Sequence, residues 1–286
     1  MSLKYFISRL ISKVCFSKSL GTKFFLRRYF DTDFLLKNDP YMGEKPLEKN
    51  YIWTMWLQDE KPELCEMCID SIKKFYPEAI VITEKNLRDY VDLPDIIWEK
   101  YTSGILKPVF LSDLVRMCLL DKYGGTWIDA TCYMTQKLPE YIMKSSFFVM
   151  KDIQACGNSI RYSKGNKFSS FFVHSAPNNY LCKCIKNYLL EYWKAEDIAI
   201  TYFFLHFFVT KFIRYDKKFR EEWDKIPLGS NALPYLMYSV LYNDYDKDLF
   251  EWLKSVNAFH KLTYKTVDKA KDNPNCLYNH LIIEYR

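Results

Sequence analysis

Within residues 112–131, Asp113, Arg116 and Asp129 have a spacing that would bring two carboxylates and one guanidinium to one crevice. Asp113 and Arg116 are three residues apart, so they share one face of a helix. Apolar residues recur around them at helical steps, which predicts an amphipathic helix: Leu111, Leu114, Val115, Cys118 and Leu119. Asp129 and Thr131 follow residues 126–128, which are typical of a short buried strand. Because ligands of open α/β sheets bind at the carboxyl ends of strands, the pattern predicts a polar ligand site there.

Two glycines separate the predicted helix from the predicted strand. Gly124 and Gly125 should end the helix, since glycine accepts the left-handed backbone that a helix terminus commonly requires. Taken alone, Asp129 fits a turn cap and Arg116 fits a surface ion pair. The helix, the two glycines and the strand occur together at the expected spacing. This combination favours a guanidinium between two carboxylates beside one pocket.

The flanking sequence predicts the α/β fold that would position these side chains. A strand over 51–56, a helix over 62–75 and a strand over 79–83 form a parallel crossover unit. Further elements are predicted as strands over 147–150 and 170–174, a turn over 177–179, and helices over 180–193 and 198–210. We expect one α/β domain over residues 45–286, preceded by an arm and linker over residues 1–44. The polar residues 31–50 would contain that linker.

The motif resembles the nucleotide-sugar site of glycosyltransferases of the GT-A type, whose pattern is SD..R, then L..YGG and a strand ending in D.D. It is most similar to bacterial capsular polysaccharide synthesis proteins, which are related to glycosyltransferase family 32. Other segments resemble that family in the same order: YIWTMWLQ, CIDSIKKFYP, DYVDLPDIIWEKY, YFFLHFF and HKLTYK. The resemblance covers roughly residues 45–270. It implies a Rossmann-like GT-A fold.

The resemblance also implies roles for individual residues. Asp113 and Arg116 would contact the donor sugar and its diphosphate, through hydroxyl hydrogen bonds and a guanidinium fork. Asp129 would approach the donor's ribose and sugar. Trp56 would lie against the uracil ring, with Trp53 as the competing choice and core packing open for both.

A divalent cation, Mn²⁺ or Mg²⁺, is implied as cofactor, because the leaving diphosphate must be neutralised. Its ligands would be Asp129, Thr131 and His260, while Lys265 would contact the diphosphate. Thr131 departs from the D.D pattern, and a neutral hydroxyl is a poorer ligand for a hard cation than a carboxylate. A structural role for His260 stays open. Relatives retain the anomeric configuration, so the lack of an obvious base or nucleophile does not count against an enzyme.

The basic excess of the chain lies in its first 30 residues. They hold seven Lys or Arg and no acid, although the whole chain has a net charge of +6. Apolar residues at helical spacing alternate with these cations, which predicts a basic amphipathic helix on an anionic membrane surface. A helix docked on the protein itself is the alternative. The arm has neither the uninterrupted apolar run of a secretory signal nor the length of a membrane span.

Composition favours one large core and reduced thiols. The 286 residues are 49% hydrophobic and 18% aromatic, and most aromatics are expected in the core. The nine cysteines are scattered and odd in number, which indicates a cytoplasmic protein without a disulfide framework. Cys65 and Cys68 are expected to pack on a helix, not to bind zinc.

These observations predict a cytoplasmic enzyme, peripheral on the inner face of the bacterial membrane. It would transfer a sugar from a UDP-hexose or similar donor to a lipid-linked capsular or surface polysaccharide repeat unit. One alternative is an inactive nucleotide-sugar-binding or scaffold protein of the same fold. A glycoside hydrolase using Asp113 and Asp129 is another. A membrane or nucleic-acid binding module is supported only by the arm, and we expect no nucleic-acid partner.

Overall fold

A computed structural model describes residues 31–151, 168–199, 202–227, 229–230 and 232–286. Its strands are β1 (Ile52–Met55), β2 (Ile80–Ile82), β3 (Gly125–Ile128), β4 (Cys132–Met134), β5 (Phe147–Lys151), β6 (Phe168–Ser175) and β7 (Phe259–Lys261). The helices are α1 (Thr32–Leu36), α2 (Glu63–Phe75), α3 (Leu87–Tyr90), α4 (Asp95–Thr102), α5 (Pro108–Tyr123), α6 (Glu140–Met143), α7 (Tyr180–Ala195), α8 (Phe204–Tyr215), α9 (Lys217–Asp224), α10 (Leu236–Val240), α11 (Lys247–Val256) and α12 (Leu277–Tyr285). Two 3₁₀ helices span Leu233–Tyr235 and Tyr264–Asp272.

The central sheet has five strands in the order β2-β1-β3-β6-β5. Strand β1 pairs in parallel with both β2 and β3, which confirms the predicted crossover unit. Strands β6 and β5 extend the sheet in antiparallel orientation. The carboxyl ends of β1 and β3 therefore meet at one edge of the sheet, where Trp56 and Asp129 follow them.

Helix α5 and the two glycines after it deliver the motif to that edge. The predicted apolar stripe is buried, with Leu111, Leu114 and Val115 at 0% exposure. Gly124 ends the helix with φ +69°, and Gly125 begins β3 with φ +97°. A Cβ atom on Gly125 would lie 2.2 Å from the carbonyl oxygen of Tyr51, so this position requires glycine. The predicted helix, break and strand are confirmed.

A second sheet, which the sequence did not predict, joins the motif to the far end of the chain. Strand β4 pairs with β7 in antiparallel orientation, and Cys132 lies opposite Lys261. The Leu262 amide donates to the Thr131 carbonyl at 2.8 Å. This pairing brings the segment after residue 258 against the loop that holds Asp129.

The main core lies around the central sheet and is rich in aromatic side chains. The largest fully buried side chains include Trp53, Trp127, Trp193, Tyr188 and Phe172. A second, smaller cluster packs between α2, α10, α11 and α12, around Leu64, Met237, Phe250 and Leu281. The expectation that core packing accounts for most of the aromatic residues is consistent with this burial.

Residues 31–50, predicted as a polar linker, are mostly exposed but contact the domain at several points. Leu35 on α1 is 3% exposed, and the Asn187 side chain of α7 donates to its carbonyl at 3.0 Å. Lys183 on α7 pairs with Asp39 at 2.7 Å and with Asp121 at 3.2 Å. Asp39 is partly exposed, while the Lys183 side chain is 5% exposed, so this ion pair helps to attach residues 31–44 to the domain that was predicted to begin at 45.

The predicted membrane arm, residues 1–30, lies outside the described residues. Within the part of the chain that the structure describes, no helix has the length and apolar character needed to cross a membrane. The cysteines in the described residues are free thiols, as predicted: Cys65, Cys68, Cys118, Cys132, Cys182, Cys184 and Cys276. Cys65 and Cys68 are both buried on α2, in agreement with a packing role.

Candidate active site

Arg116 joins the two predicted carboxylates. One terminal nitrogen of its guanidinium lies 2.7 Å from Asp113 and the other lies 3.1 Å from Asp129. All three side chains line a cavity of about 750 Å³ at the carboxyl ends of β1 and β3. The predicted convergence on one pocket is confirmed. The arginine side chain is only 4% exposed and stacks over Trp127. Its contact with a donor diphosphate stays a prediction.

Asp129 is held by donors from three directions. One oxygen accepts from Arg116 and from the Trp127 indole at 2.8 Å, and the other accepts from Lys261 at 2.8 Å. Its backbone amide donates to the carbonyl of Phe171 on β6 at 2.9 Å. Burial alone would raise the pKa of Asp129, but the Lys261 and Arg116 charges outweigh it and lower the pKa to about 2. This carboxylate is ionised and rigidly placed.

Asp113 has the opposite electrostatic environment. Burial raises the pKa of this carboxyl to about 6, and the neighbouring Asp129 charge adds to the rise. The ion pair with Arg116 opposes that rise without cancelling it. Asp113 therefore changes charge close to neutral pH, while Asp129 does not.

Lys261 is the functional residue that the sequence interpretation missed. Its ammonium lies 2.8 Å from Asp129 and 2.6 Å from the Thr131 hydroxyl. Burial would lower the pKa of Lys261, but the Asp129 carboxylate outweighs burial and raises it, so the amine stays protonated. Side chains alternate along a strand, so Lys261 and its neighbour His260 cannot both face the cavity. That alternation was the available signal.

His260 is not placed as a metal ligand. It is fully buried, it does not line the cavity, and burial lowers its pKa to about 4. In the structure β7 turns Lys261, not His260, toward Asp129, so a metal-ligand role of His260 stays a prediction without geometric support. Among the described residues no group of three or more His, Cys, Asp or Glu side chains could hold a metal ion.

The residues present do not fit the predicted divalent cation. A metal at the motif would bind Asp129 and Thr131, yet both side chains already contact the same ammonium of Lys261. The remaining oxygen of Asp129 accepts from Arg116 and Trp127. A hard dication would have to displace a protonated lysine and would gain one carboxylate and one neutral hydroxyl.

Trp56 lies at the wall of the cavity and Trp53 lies in the core. The Trp56 indole donates to the Glu60 carbonyl at 3.0 Å and makes an edge contact with Tyr264, with ring centroids 5.6 Å apart. Trp53 is fully buried and donates to the Gly124 carbonyl at 2.9 Å. Of the two predicted candidates, only Trp56 lines the cavity.

Lys265 lines an adjoining cavity of about 310 Å³, not the larger one. Its ammonium lies 5.7 Å from the ring centre of Tyr202. The two cavities share Thr131, Lys261 and four tyrosines, namely Tyr202, Tyr235, Tyr238 and Tyr264. His206 of the YFFLHFF segment also lines the larger cavity, and burial lowers its pKa to about 4.

The central sheet with helices around it and a polar cluster at its strand ends fits an α/β fold of the glycosyltransferase kind. The family model described as capsular polysaccharide synthesis protein matches residues 3–281. The chain therefore belongs to that family, as the sequence resemblance implied. Its membership indicates a biosynthetic role in capsule formation. Among curated proteins, no relative matches the chain.

Proposed function

We propose that this protein is a GT-A type glycosyltransferase that moves a sugar from a nucleoside diphosphate donor, with uridine as the expected base, to a capsular or surface polysaccharide repeat unit. Transfer would retain the anomeric configuration. The observation that carries the proposal is the pairing of Asp113, Arg116 and Asp129 at the strand ends of a large cavity. Family membership supports the same class of reaction.

The cavity offers the groups that a nucleotide sugar requires. Trp56 lines the same cavity as the charged cluster and supplies an aromatic face for a base. Asp113 can accept hydrogen bonds from sugar hydroxyls, since its side chain is 13% exposed at the cavity wall. The chemistry depends on positioning and charge stabilisation, because neither carboxylate is placed as a free base next to an acceptor.

The shared tyrosines suit the acceptor. Tyr202, Tyr235, Tyr238 and Tyr264 connect the two cavities beside Lys261. Tyrosine rings stack on sugar faces, and their hydroxyls hydrogen-bond to sugar oxygens. An acceptor sugar entering through the smaller cavity would reach the larger cavity beside Thr131 and Lys261.

A lipid-linked acceptor would explain the basic amphipathic pattern of residues 1–30. We expect this arm to bind the inner membrane face and bring the cavity to its acceptor, because each Lys or Arg near an anionic surface contributes about 1 kcal/mol. The protein and its deletion variant lacking residues 1–30 should be compared by sedimentation with anionic vesicles. Equal sedimentation would remove this role.

The proposal is tested with a panel of nucleotide sugars. A true donor should raise the melting temperature of the protein, since binding to the folded state stabilises it. The same donor should be hydrolysed or transferred, and Asp129→Asn should abolish turnover because Asp129 holds both cationic side chains. A nucleotide sugar that binds and is never turned over would favour the inactive scaffold alternative. No shift with any nucleotide sugar would refute the proposed function.

The glycoside hydrolase alternative is disfavoured by the state of Asp129. A hydrolase needs one carboxylate as nucleophile or base and one carboxyl as acid. Asp113, with a pKa of about 6, could be an acid, but Asp129 has a pKa of about 2 and accepts three hydrogen bonds. Such a carboxylate is a weak base and a poor nucleophile.

A further inference from the structure

The ammonium of Lys261 lies between Asp129 and Thr131, where the D.D pattern of GT-A glycosyltransferases would place a metal ion. The ammonium of Lys261 bridges Asp129 at 2.8 Å and the Thr131 hydroxyl at 2.6 Å. It is fixed on β7, whose pairing with β4 sets Lys261 opposite Cys132, one residue after Thr131. Its side chain is 17% exposed, at the wall of the cavity. Because an ammonium has three donors, one remains for a ligand after these two bonds.

We propose that Lys261 takes the place of the divalent cation, so that this protein binds and releases a diphosphate without metal. The inference rests on the proposed function, which supplies the diphosphate. Thr131 is part of the same arrangement, because its neutral hydroxyl lets the single charge of Asp129 balance the single charge of the lysine. A second carboxylate there would leave excess negative charge in a buried site.

During sugar transfer, Lys261 acts on the negative charge that develops on the leaving phosphate oxygen. The bond between the sugar's anomeric carbon and the β-phosphate oxygen breaks, and its electron pair stays on that oxygen. The acceptor hydroxyl oxygen bonds to the anomeric carbon, and its proton passes to the released nucleoside diphosphate. Lys261 keeps its protons throughout and stabilises the phosphate oxygen as its charge grows.

The test compares binding of inorganic pyrophosphate in EDTA and in Mn²⁺, by thermal shift on the full chain. Pyrophosphate carries the diphosphate chemistry without presuming a base or a sugar. We expect the same concentration dependence of the melting temperature in both buffers. Lys261→Met should weaken binding at least about tenfold, the effect of losing one charge-assisted hydrogen bond. The matched control is Lys269→Met, which removes an exposed lysine of the 3₁₀ helix after β7 and should change nothing.

The wild-type comparison does not depend on whether a variant folds. If pyrophosphate shifts the melting temperature only with Mn²⁺, the inference is overturned while the proposed function stands. If it shifts the melting temperature in neither buffer, the diphosphate site and the proposed function both fail. Unchanged pyrophosphate binding by a folded Lys261→Met variant would also overturn the inference.

A double substitution provides the converse experiment. Thr131→Asp combined with Lys261→Ala places two carboxylates at the motif and removes the ammonium between them. We expect this variant to gain Mn²⁺ binding, measured by electron paramagnetic resonance of the free ion, while the wild-type protein binds no Mn²⁺ in the same titration. Mn²⁺ binding by the wild-type protein, lost in Asp129→Asn, would show that a metal occupies the motif and would refute the proposal.

Discussion

Replacing Asp113 with asparagine should stabilise the ligand-free protein at neutral pH. Burial raises the pKa of this carboxyl from its ordinary 3.8 to about 6. At about pH 7.5 the folded state holds an ionised group that it disfavours, at a cost of about 3 kcal/mol relative to the unfolded chain. The asparagine side chain is uncharged in both states, so the substitution removes that cost. Its carbonyl can still accept from Arg116, which keeps part of the existing 2.7 Å contact.

The pH dependence of the stability gain shows whether the charge of Asp113 causes it. A raised folded-state pKa contributes stability at low pH, and that stability is lost as the pH rises from about 4 to about 6. The gain from Asp113→Asn should therefore be about 2 kcal/mol larger at about pH 7.5 than at about pH 4.5. His174, His206 and His260 act in the opposite direction, because burial lowers each pKa to about 4. They are common to both proteins and cancel in the difference.

The assay is urea unfolding of wild type and variant at several pH values, read by tryptophan fluorescence. The control is Asp92→Asn, which removes a carboxylate from an exposed position and should give a difference that does not vary with pH. A variant less stable than wild type at neutral pH, or a stability difference independent of pH, would refute the electrostatic account of Asp113. The variant should also bind nucleotide sugars more weakly, because a site residue that costs stability is retained for its ligand.

Three further substitutions test other parts of the structure. Gly125→Ala should destabilise the fold by at least about 3 kcal/mol in urea unfolding, because a Cβ there would lie 2.2 Å from a backbone oxygen; a near-neutral effect would contradict the strained turn. Trp56→Ala should weaken donor binding in thermal shift with little loss of stability, whereas Trp53→Ala should cost about 3–5 kcal/mol, and the reverse pattern would exchange their roles. Asp121→Asn should remove one of the carboxylate charges that neutralise the buried ammonium of Lys183, and should therefore speed proteolysis within residues 31–50. An unchanged rate of cleavage would show that the ion pairs of Lys183 do not hold this segment on the domain.

The local half of the site was predictable because its geometry is set by neighbours in the chain. Asp113 and Arg116 share a helix face at a spacing of three, and Asp129 follows two glycines and one short strand. Helical periodicity, glycine conformation and the strand-end rule suffice to bring these residues together. The same rules give the parallel pairing of β1 with β2, since the strand, helix and strand are consecutive.

The other half depends on long-range pairing, for which residue patterns carry little information. Lys261 reaches Asp129 across 132 positions of sequence, through a three-residue strand that pairs with another of the same length. Residues 259–261 were not predicted as a strand, so the alternation that separates His260 from Lys261 was not applied, and His260 was assigned to the site. The polar composition of residues 31–50 likewise indicated a linker, because the sequence does not show that Asp39 pairs with Lys183. In both cases a charge was buried against a partner distant in sequence.

The two carboxylates of the site are suited to different tasks by the number of donors that each receives. Asp129 accepts from Arg116, Trp127 and Lys261, so three of its roughly four acceptor sites are used and its charge is stabilised. Among the described residues, Arg116 is the one hydrogen-bond donor to Asp113. A sugar hydroxyl entering the cavity therefore gains most from Asp113, where an ionised and poorly satisfied oxygen can accept a further hydrogen bond. Asp129 anchors the two cations, and we expect Asp113 to be the carboxylate that contacts the ligand.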